Sequence, residues 1–292
     1  VIVTLTKGGY IKRLGVDTYK RQGRGGKGVV GIKTKEEDTI QQVFSASTHD
    51  EILFFTNKGR VYKQKSYEIP EASRQAKGTA IVNLLDLEPE ERIAVALPVS
   101  KKGAGVEYLF MATNKGTVKK TALADFENIR RTGIVAIRLK PDDDLTWVKP
   151  TSGKNEIILV TKRGQSIRFP ETDTRPTGRA TAGVRGIRLS KKGDQVIATE
   201  VVGDRKNYLL TISENGLGKR TKISEYRIQS RGGSGILTSK VTAKTGELVT
   251  ARIVGENKHD LLLTSQRAQV IRLPLKEVPV LSRSTQGRSE ER

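Results

Sequence analysis

Lysine and arginine recur in this chain at fixed distances from glycine. Four residues after Gly9, Gly59, Gly116, Gly164 and Gly216, and after Ala268, stand Arg13, Lys63, Lys120, Arg168, Arg220 and Arg272. Four residues before a second series of glycines stand Arg24, Arg74, Arg179, Arg231 and Arg283, while Arg130 and Arg131 lie beside Gly133. Lys12, Lys119 and Lys219 precede members of the first series, and Lys27 and Lys77 precede Gly28 and Gly78. Fixed positive charge at regular spacing suits one chemistry above others. It donates charge-assisted hydrogen bonds to phosphate oxygens and releases the counterions condensed on a polyanion.

The densest stretch is RQGRGGKGVVG, Arg21–Gly31. A phosphate-cradling P-loop needs Gly-x-x-x-x-Gly-Lys followed by Ser or Thr and a helix. Val29 follows Gly28 here, and VVGIKT has the composition of a strand. Nucleotide binding is therefore set aside. Backbone N–H groups exposed by Gly25, Gly26 and Gly28 beside Gln22, Arg24 and Lys27 suit a nucleic-acid phosphate instead.

Composition narrows the choices further. The chain of 292 residues carries 53 Lys and Arg against 32 Asp and Glu, a net charge of +21. Self-repulsion of that size points to a polyanionic partner. There is no Cys and there are two His, which removes disulfides, cysteine nucleophiles and structural zinc of the Cys type. His49 and His259 each precede an apolar run and read as turn residues. Apolar runs such as IILV and ILFF are too short to cross a bilayer as helices. The chain opens on Val1, as expected of a segment of a longer protein.

The elements that must position these cations repeat six times. VIVTLTKGGYIKR, EILFFTNKGRVYK, YLFMATNKGTVKK, IILVTKRGQSIR, YLLTISENGLGKR and LLLTSQRAQVIR align, with the glycine position recurring every 48 to 57 residues. Each reads as a β-hairpin: an apolar strand, a polar turn, a glycine that accepts positive φ, and a returning strand. Gly218 inside the fifth returning strand reads as a bulge. A second glycine follows at 28, 78, 133, 183, 235 and 287, the first five ahead of another apolar segment. Further strands such as RIAVALPVS and DQVIATEVV lead into the next repeat. ALADFENIRR and ISEYRI read as single helical turns. Trp147 reads as a packing residue, and the acidic runs KEED, EPEER and PDDD read as solvated hairpin tips.

Four strands in roughly 50 residues is the pattern of a radial β array. The expectation is a single all-β domain over residues 1–292, a six-bladed propeller-like ring or shallow spiral of four-stranded blades. Its repeats start near residues 1, 51, 107, 155, 207 and 260. Equivalent cations would then form a continuous basic belt along one rim. A caution attaches to strand parity, since Arg13 and Lys63 share a face with Ile11 and Val61 if the strands are regular. A distributed belt fits duplex DNA wrapped on the outside. Bending ~40 base pairs through a half circle costs on the order of 10 kcal/mol, which many phosphate contacts can offset and one patch cannot. Aromatic platforms for single strands are scarce, and no helix is evident to read bases in the major groove.

The stretch QGRGGKG, Gln22–Gly28, resembles the Gln-Arg-Arg-Gly-Gly-Lys-Gly box of the C-terminal domain of DNA gyrase A subunits, with Gly23 in place of one Arg. The flanking IKTKEEDTI, THDEILFFTNKGRVY and AIVNLLDLEPEERI are similar to that domain as well. The resemblance implies a six-bladed β-pinwheel whose blades exchange strands, with duplex DNA wrapped around its rim. It implies that Gln22, Arg24 and Lys27 hold the end of the wrap. By the same resemblance the partners are the ATPase subunit of the enzyme, plus the N-terminal breakage-reunion region of the same polypeptide, in a cytoplasmic, nucleoid-associated A2B2 holoenzyme. No cofactor is implied for this domain, ATP and Mg belonging to the holoenzyme, and no catalytic residue. The related domain of topoisomerase IV is the alternative, although it typically lacks the box. A propeller serving as a protein scaffold or a small enzyme is the third reading, and it would place its useful residues near a central channel.

Overall fold

The computed structural model describes residues 1–16, 38–73, 75–99, 105–204, 206–255, 260–264 and 270–289. Every regular element among them is a strand or a short 3-10 turn. Two compact units are present, Val1–Ala104 with Asn128–Ala136, and Gly105–Glu127 with Ile137–Arg292.

The hairpin motif folds as its residues dictate. The apolar strand of the second repeat, Glu51–Thr56, pairs with Arg60–Lys65. At the turn the N–H of Gly59 donates to the Thr56 carbonyl (3.0 Å), and Gly59 holds φ at 78°. The Thr56 hydroxyl accepts from the N–H of Arg60. Thr6, Thr113 and Thr161 do the same for Tyr10, Thr117 and Gln165. The Thr-x-x-Gly signature is thus a four-residue turn closed by a left-handed glycine, with a side-chain oxygen holding the first amide of the returning strand.

The first unit contains two four-stranded antiparallel sheets. In the first, Ile40–Ser45, Ile2–Thr6 and Tyr10–Leu14 are joined by Thr79–Ala80. In the second, Ile93–Val99, Glu51–Thr56 and Arg60–Lys65 are joined by Ile134–Val135. The fourth strand therefore comes from the following repeat in both, as the resemblance implied. Val3, Leu5, Ile11, Ile52, Phe54 and Tyr62 form part of the core between these sheets.

The second unit contains three more four-stranded sheets of the same order, whose fourth strands are Val184–Arg185, Ile236–Leu237 and Arg288–Ser289. Strands Asp260–Thr264 and Val270–Pro274 form a two-stranded sheet among the described residues. The expected six four-stranded blades thus appear as five, plus one hairpin. In each of the five, one edge strand belongs to the same repeat as the hairpin and the other comes from the repeat after it; the sixth hairpin shows neither edge strand among the described residues. Trp147 packs against the core of Phe110, Leu159 and Ile167. Leu123–Phe126 and Ile223–Glu225 are single 3-10 turns, and His49 lies in a turn against Tyr67.

Two readings need correction. Gly218 is not at a bulge, since the ladder from Tyr208↔Lys222 to Ile212↔Gly218 is unbroken. Register shifts fall instead at the other edge of the inner strands, as between Phe55 and Thr56. The close approach here is that of Gly287, where a Cβ would lie 2.9 Å from the Gly218 carbonyl oxygen. The acidic runs are also not wholly solvated. Glu91 of EPEER and Asp143 of PDDD are buried and accept from the Thr56 and Thr113 hydroxyls, and Asp194, outside those runs, is buried likewise and accepts from the Arg163 N–H. Each satisfies donors that the hairpin turn leaves without strand partners.

Candidate nucleic-acid interface

In the five four-stranded sheets the returning strand of the hairpin lies inside the sheet, paired on both edges. Thr117–Ala122 is buried at Val118, Lys119, Lys120 and Thr121 in succession, so period-2 alternation does not bring its cations to water. Three of the six members of the column expected to form a solvent-facing belt are internal. Lys120, Arg168 and Arg220 are 3%, 3% and 4% exposed. Their head groups are held by backbone carbonyls of the following repeat. Lys120 Nζ donates to Glu171 (3.0 Å), Arg168 Nη1 to Ile223 (2.9 Å) and Tyr226 (2.8 Å), and Arg220 Nε to Val278 (2.9 Å). In the first unit Arg13 Nε donates to Ile69 (2.7 Å).

These acceptors are one feature repeated. Ile69, Tyr226 and Val278 each end the 3-10 turn that follows the next hairpin. That turn leaves carbonyls without intrahelical donors, and the cation fills them. Backbone bridges run alongside, pairing Arg13 with Glu71, Lys120 with Pro176, Arg168 with Ile228 and Arg220 with Val280. Carboxylates balance part of the charge. Arg168 meets Glu156, and Lys120 lies 3.8 Å from the fully buried Glu171. Lys120 and Arg220 also approach the rings of Tyr108 and Tyr208.

The preceding column is buried as well. Lys219 Nζ donates to the carbonyls of Ser282 (2.9 Å), Arg283 (2.7 Å) and Thr285 (2.9 Å). Lys119 donates to Arg179, and Lys12 to Ser73 (3.1 Å) and Ala76 (2.8 Å). Burial pushes the ammonium groups of Lys119 and Lys219 down to about 8, and lowers that of Lys12 in the same direction. The assignment of Lys12, Lys119, Lys120, Arg168, Lys219 and Arg220 to a solvent-facing phosphate belt is corrected on these grounds. Their donors already hold the loop of the next repeat.

The remaining expected residues divide. Lys63 is half-buried and pairs with Glu51 at 3.4 Å. Lys77 is exposed, with its ammonium 3.6 Å from the centre of the Tyr10 ring. Arg130 and Arg131 are exposed, Arg179 is half-buried, and Arg272 is 73% exposed beside Asp260. Arg231 donates to the carbonyls of Asp173 and Arg185, and Arg283 donates to that of Leu237. Gln22, Arg24, Gly25, Gly26, Lys27, Gly28, Arg74 and His259 lie outside the described residues. Among the described residues no group of three His, Cys, Asp or Glu side chains is arranged to hold a metal, and no helix is long and apolar enough to cross a membrane.

Repeated four-stranded antiparallel sheets that take their last strand from the next repeat define a propeller-class, all-β repeat protein. The chain belongs to the family described as DNA gyrase C-terminal domain, beta-propeller, whose model matches residues 1–47, 50–100, 107–152, 155–202, 207–255 and 259–289. Those six segments follow the six repeats read from the sequence. The DNA gyrase A subunit of Staphylococcus aureus strain MRSA252 is 43% identical over 288 residues, which is 98% of this chain and 32% of that protein. The chain therefore spans about a third of the length of the curated relatives it matches. Among solved structures, a DNA gyrase A C-terminal domain matches with a TM-score of 0.78 at 31% identity, covering 99% of this chain and 94% of that one. The C-terminal domain of DNA topoisomerase IV matches with a TM-score of 0.83 at 25% identity, covering 100% and 88%.

Proposed function

We propose that this chain is the duplex-DNA-binding and DNA-wrapping segment of a gyrase-type A subunit. The observation that carries the reading is the family match through all six repeats, on a chain of net charge +21. The segment would bend a duplex over its basic surface and present a positive crossing for strand passage. That crossing would let the holoenzyme introduce negative supercoils with ATP. Cleavage chemistry, ATP and Mg belong to the N-terminal breakage-reunion region and the ATPase subunit of an A2B2 assembly beside the nucleoid in the cytoplasm. The segment itself takes no cofactor and performs no turnover. The Gln22–Gly28 stretch grips the end of the wrap, and the 292 residues act as one wrapping domain.

Energy transfer between the ends of a labelled ~40 base-pair duplex tests this. The ends approach at saturating protein, and affinity drops steeply with salt. A saturated complex with unchanged end-to-end distance would overturn wrapping. Replacing Gln22–Gly28 by alanines is expected to reduce that approach more than the affinity, because cations elsewhere keep the duplex bound.

A second reading, the corresponding domain of topoisomerase IV, has one observation in its favour, the TM-score of 0.83. The 43% identity to the gyrase A chain of Staphylococcus aureus and the box at Gln22–Gly28 weigh against it. A holoenzyme reconstituted with this segment separates the two. Negative supercoiling of relaxed plasmid supports the first, and relaxation without supercoiling supports the second.

A further inference from the structure

With Lys119, Lys120, Arg168, Lys219 and Arg220 internal, the exposed cations of the second unit are the ones open to a polyanion. Five residues after the second glycine of each repeat the sequence reads Lys33, Asn83, Arg138, Arg188, Lys240 and Arg292. Arg138, Arg188 and Lys240 are described, belong to the second unit, and are exposed. Each sits at one repeated backbone position. The N–H of Arg138 donates to the Thr181 carbonyl (3.0 Å), that of Arg188 to Gly233 (2.8 Å) and that of Lys240 to Thr285 (3.3 Å). Thr181, Gly233 and Thr285 all stand two residues before the second glycine of the following repeat. Each basic residue is thereby anchored by its backbone beside the loop of the next repeat, with its side chain exposed.

The same loops are laced by further bonds. The N–H of Gly232 donates to the Gly186 carbonyl (2.8 Å), Arg231 donates to Arg185, and Arg283 to Leu237 (2.8 Å). Loop follows loop through the third to sixth repeats as one hydrogen-bonded surface, carrying an exposed cation at each step. Among the described residues the Arg138, Arg188 and Lys240 side chains have no acidic partner within ion-pair distance, in contrast to Arg13, Arg168 and Arg272.

We infer that Arg138, Arg188 and Lys240 form a phosphate-contacting column for duplex DNA in this segment. The inference rests on the DNA-binding reading above and names residues for it. Backbone anchoring gives the column a set spacing of one cation per repeat. That spacing suits a regular polyanion whose charge continues past a single module, and it carries no base-specific donor pattern.

Duplex binding by the chain, measured against salt concentration, tests the column. Neutralising three phosphate contacts contributes about −2.7 to the slope of log K on log salt. The R138Q/R188Q/K240Q chain is therefore expected to show a slope shallower by about that amount. Between about 50 and 200 mM salt the wild type should lose about 40-fold more affinity than the variant. Thermal unfolding followed by circular dichroism checks that both are folded, and R138K/R188K serves as a charge-retaining control with the wild-type slope. A folded triple variant with an unchanged slope overturns the column while leaving the DNA-binding reading intact. A wild-type chain that binds no duplex at low salt overturns that reading and the column with it.

Discussion

Two columns of cations run through the same repeats and do opposite work. Arg168 stands in the returning strand, buried, with its guanidinium spent on two carbonyls and a carboxylate. Arg188 stands just beyond the shared strand, exposed, with its backbone amide anchored and its side chain in water. The difference lies in which part of the residue the fold uses. In the first column the side chain ties one repeat to the next. In the second the backbone does so, and the charge is left over. Arg272 sharpens the contrast. It occupies the same column as Arg168, but it pairs with Asp260 of its own hairpin and its side chain is 73% exposed. Burial in this column accompanies bonds to the 3-10 turn of the following repeat, as at Lys120, Arg168 and Arg220.

The largest expected effect is at Arg168. Arg168→Met leaves Glu156 and the carbonyls of Ile223 and Tyr226 without their donor. A loss of about 3–5 kcal/mol in denaturant unfolding is expected, the scale for removing one partner of a buried charge pair. A loss below about 1 kcal/mol would show that the contact is incidental.

Lys219 comes next, and its effect depends on pH. Its folded pKa of about 8 lies below the ordinary 10.5. The unfolded chain therefore binds the proton more tightly, and stability rises with pH between those values. The charging penalty is present at neutral pH and is relieved as the amine deprotonates in place. From about pH 7 to about pH 9.5 the wild type is expected to gain on the order of 2 kcal/mol relative to Lys219→Met. Parallel stability curves for the two proteins would place the ammonium in water.

Arg272→Gln should cost under about 1 kcal/mol, because its pair with Asp260 is solvated. Equal losses at Arg272 and Arg168 would break the contrast between the exposed and the buried cation. The smallest change in stability is expected at Arg188→Gln, within about 0.5 kcal/mol. Its signature is instead a salt slope reduced by about 0.9 on duplex DNA.

Much of this fold is legible in the sequence. The apolar run, Thr-x-x-Gly and the returning strand mark the hairpins, because turn stereochemistry is local. Gly59 needs positive φ whatever surrounds it. Burial of the cations is less legible. Lys119 and Lys120 are adjacent, so alternation assigns them to opposite faces, yet both are buried because the strand is covered on both sides. What holds their charge is the set of carbonyls 51 to 60 residues away, as for Lys120 with Glu171 and Lys119 with Arg179. No local pattern carries that. The buried acids are hidden for the same reason, since Asp143 reads as one more charge in PDDD until its contact with Thr113 is seen. The second column was within reach, because Arg138, Arg188 and Lys240 keep a constant offset from the second glycine.

Lysine labelling with and without duplex DNA tests the division between the columns most directly. Brief acylation at neutral pH, mapped by mass spectrometry, should modify Lys240 in the free chain and leave Lys119 and Lys219 unmodified. Saturating duplex should then protect Lys240 and change nothing at the other two. Ready labelling of Lys119 or Lys219 in the free chain, abolished by DNA, would contradict the account.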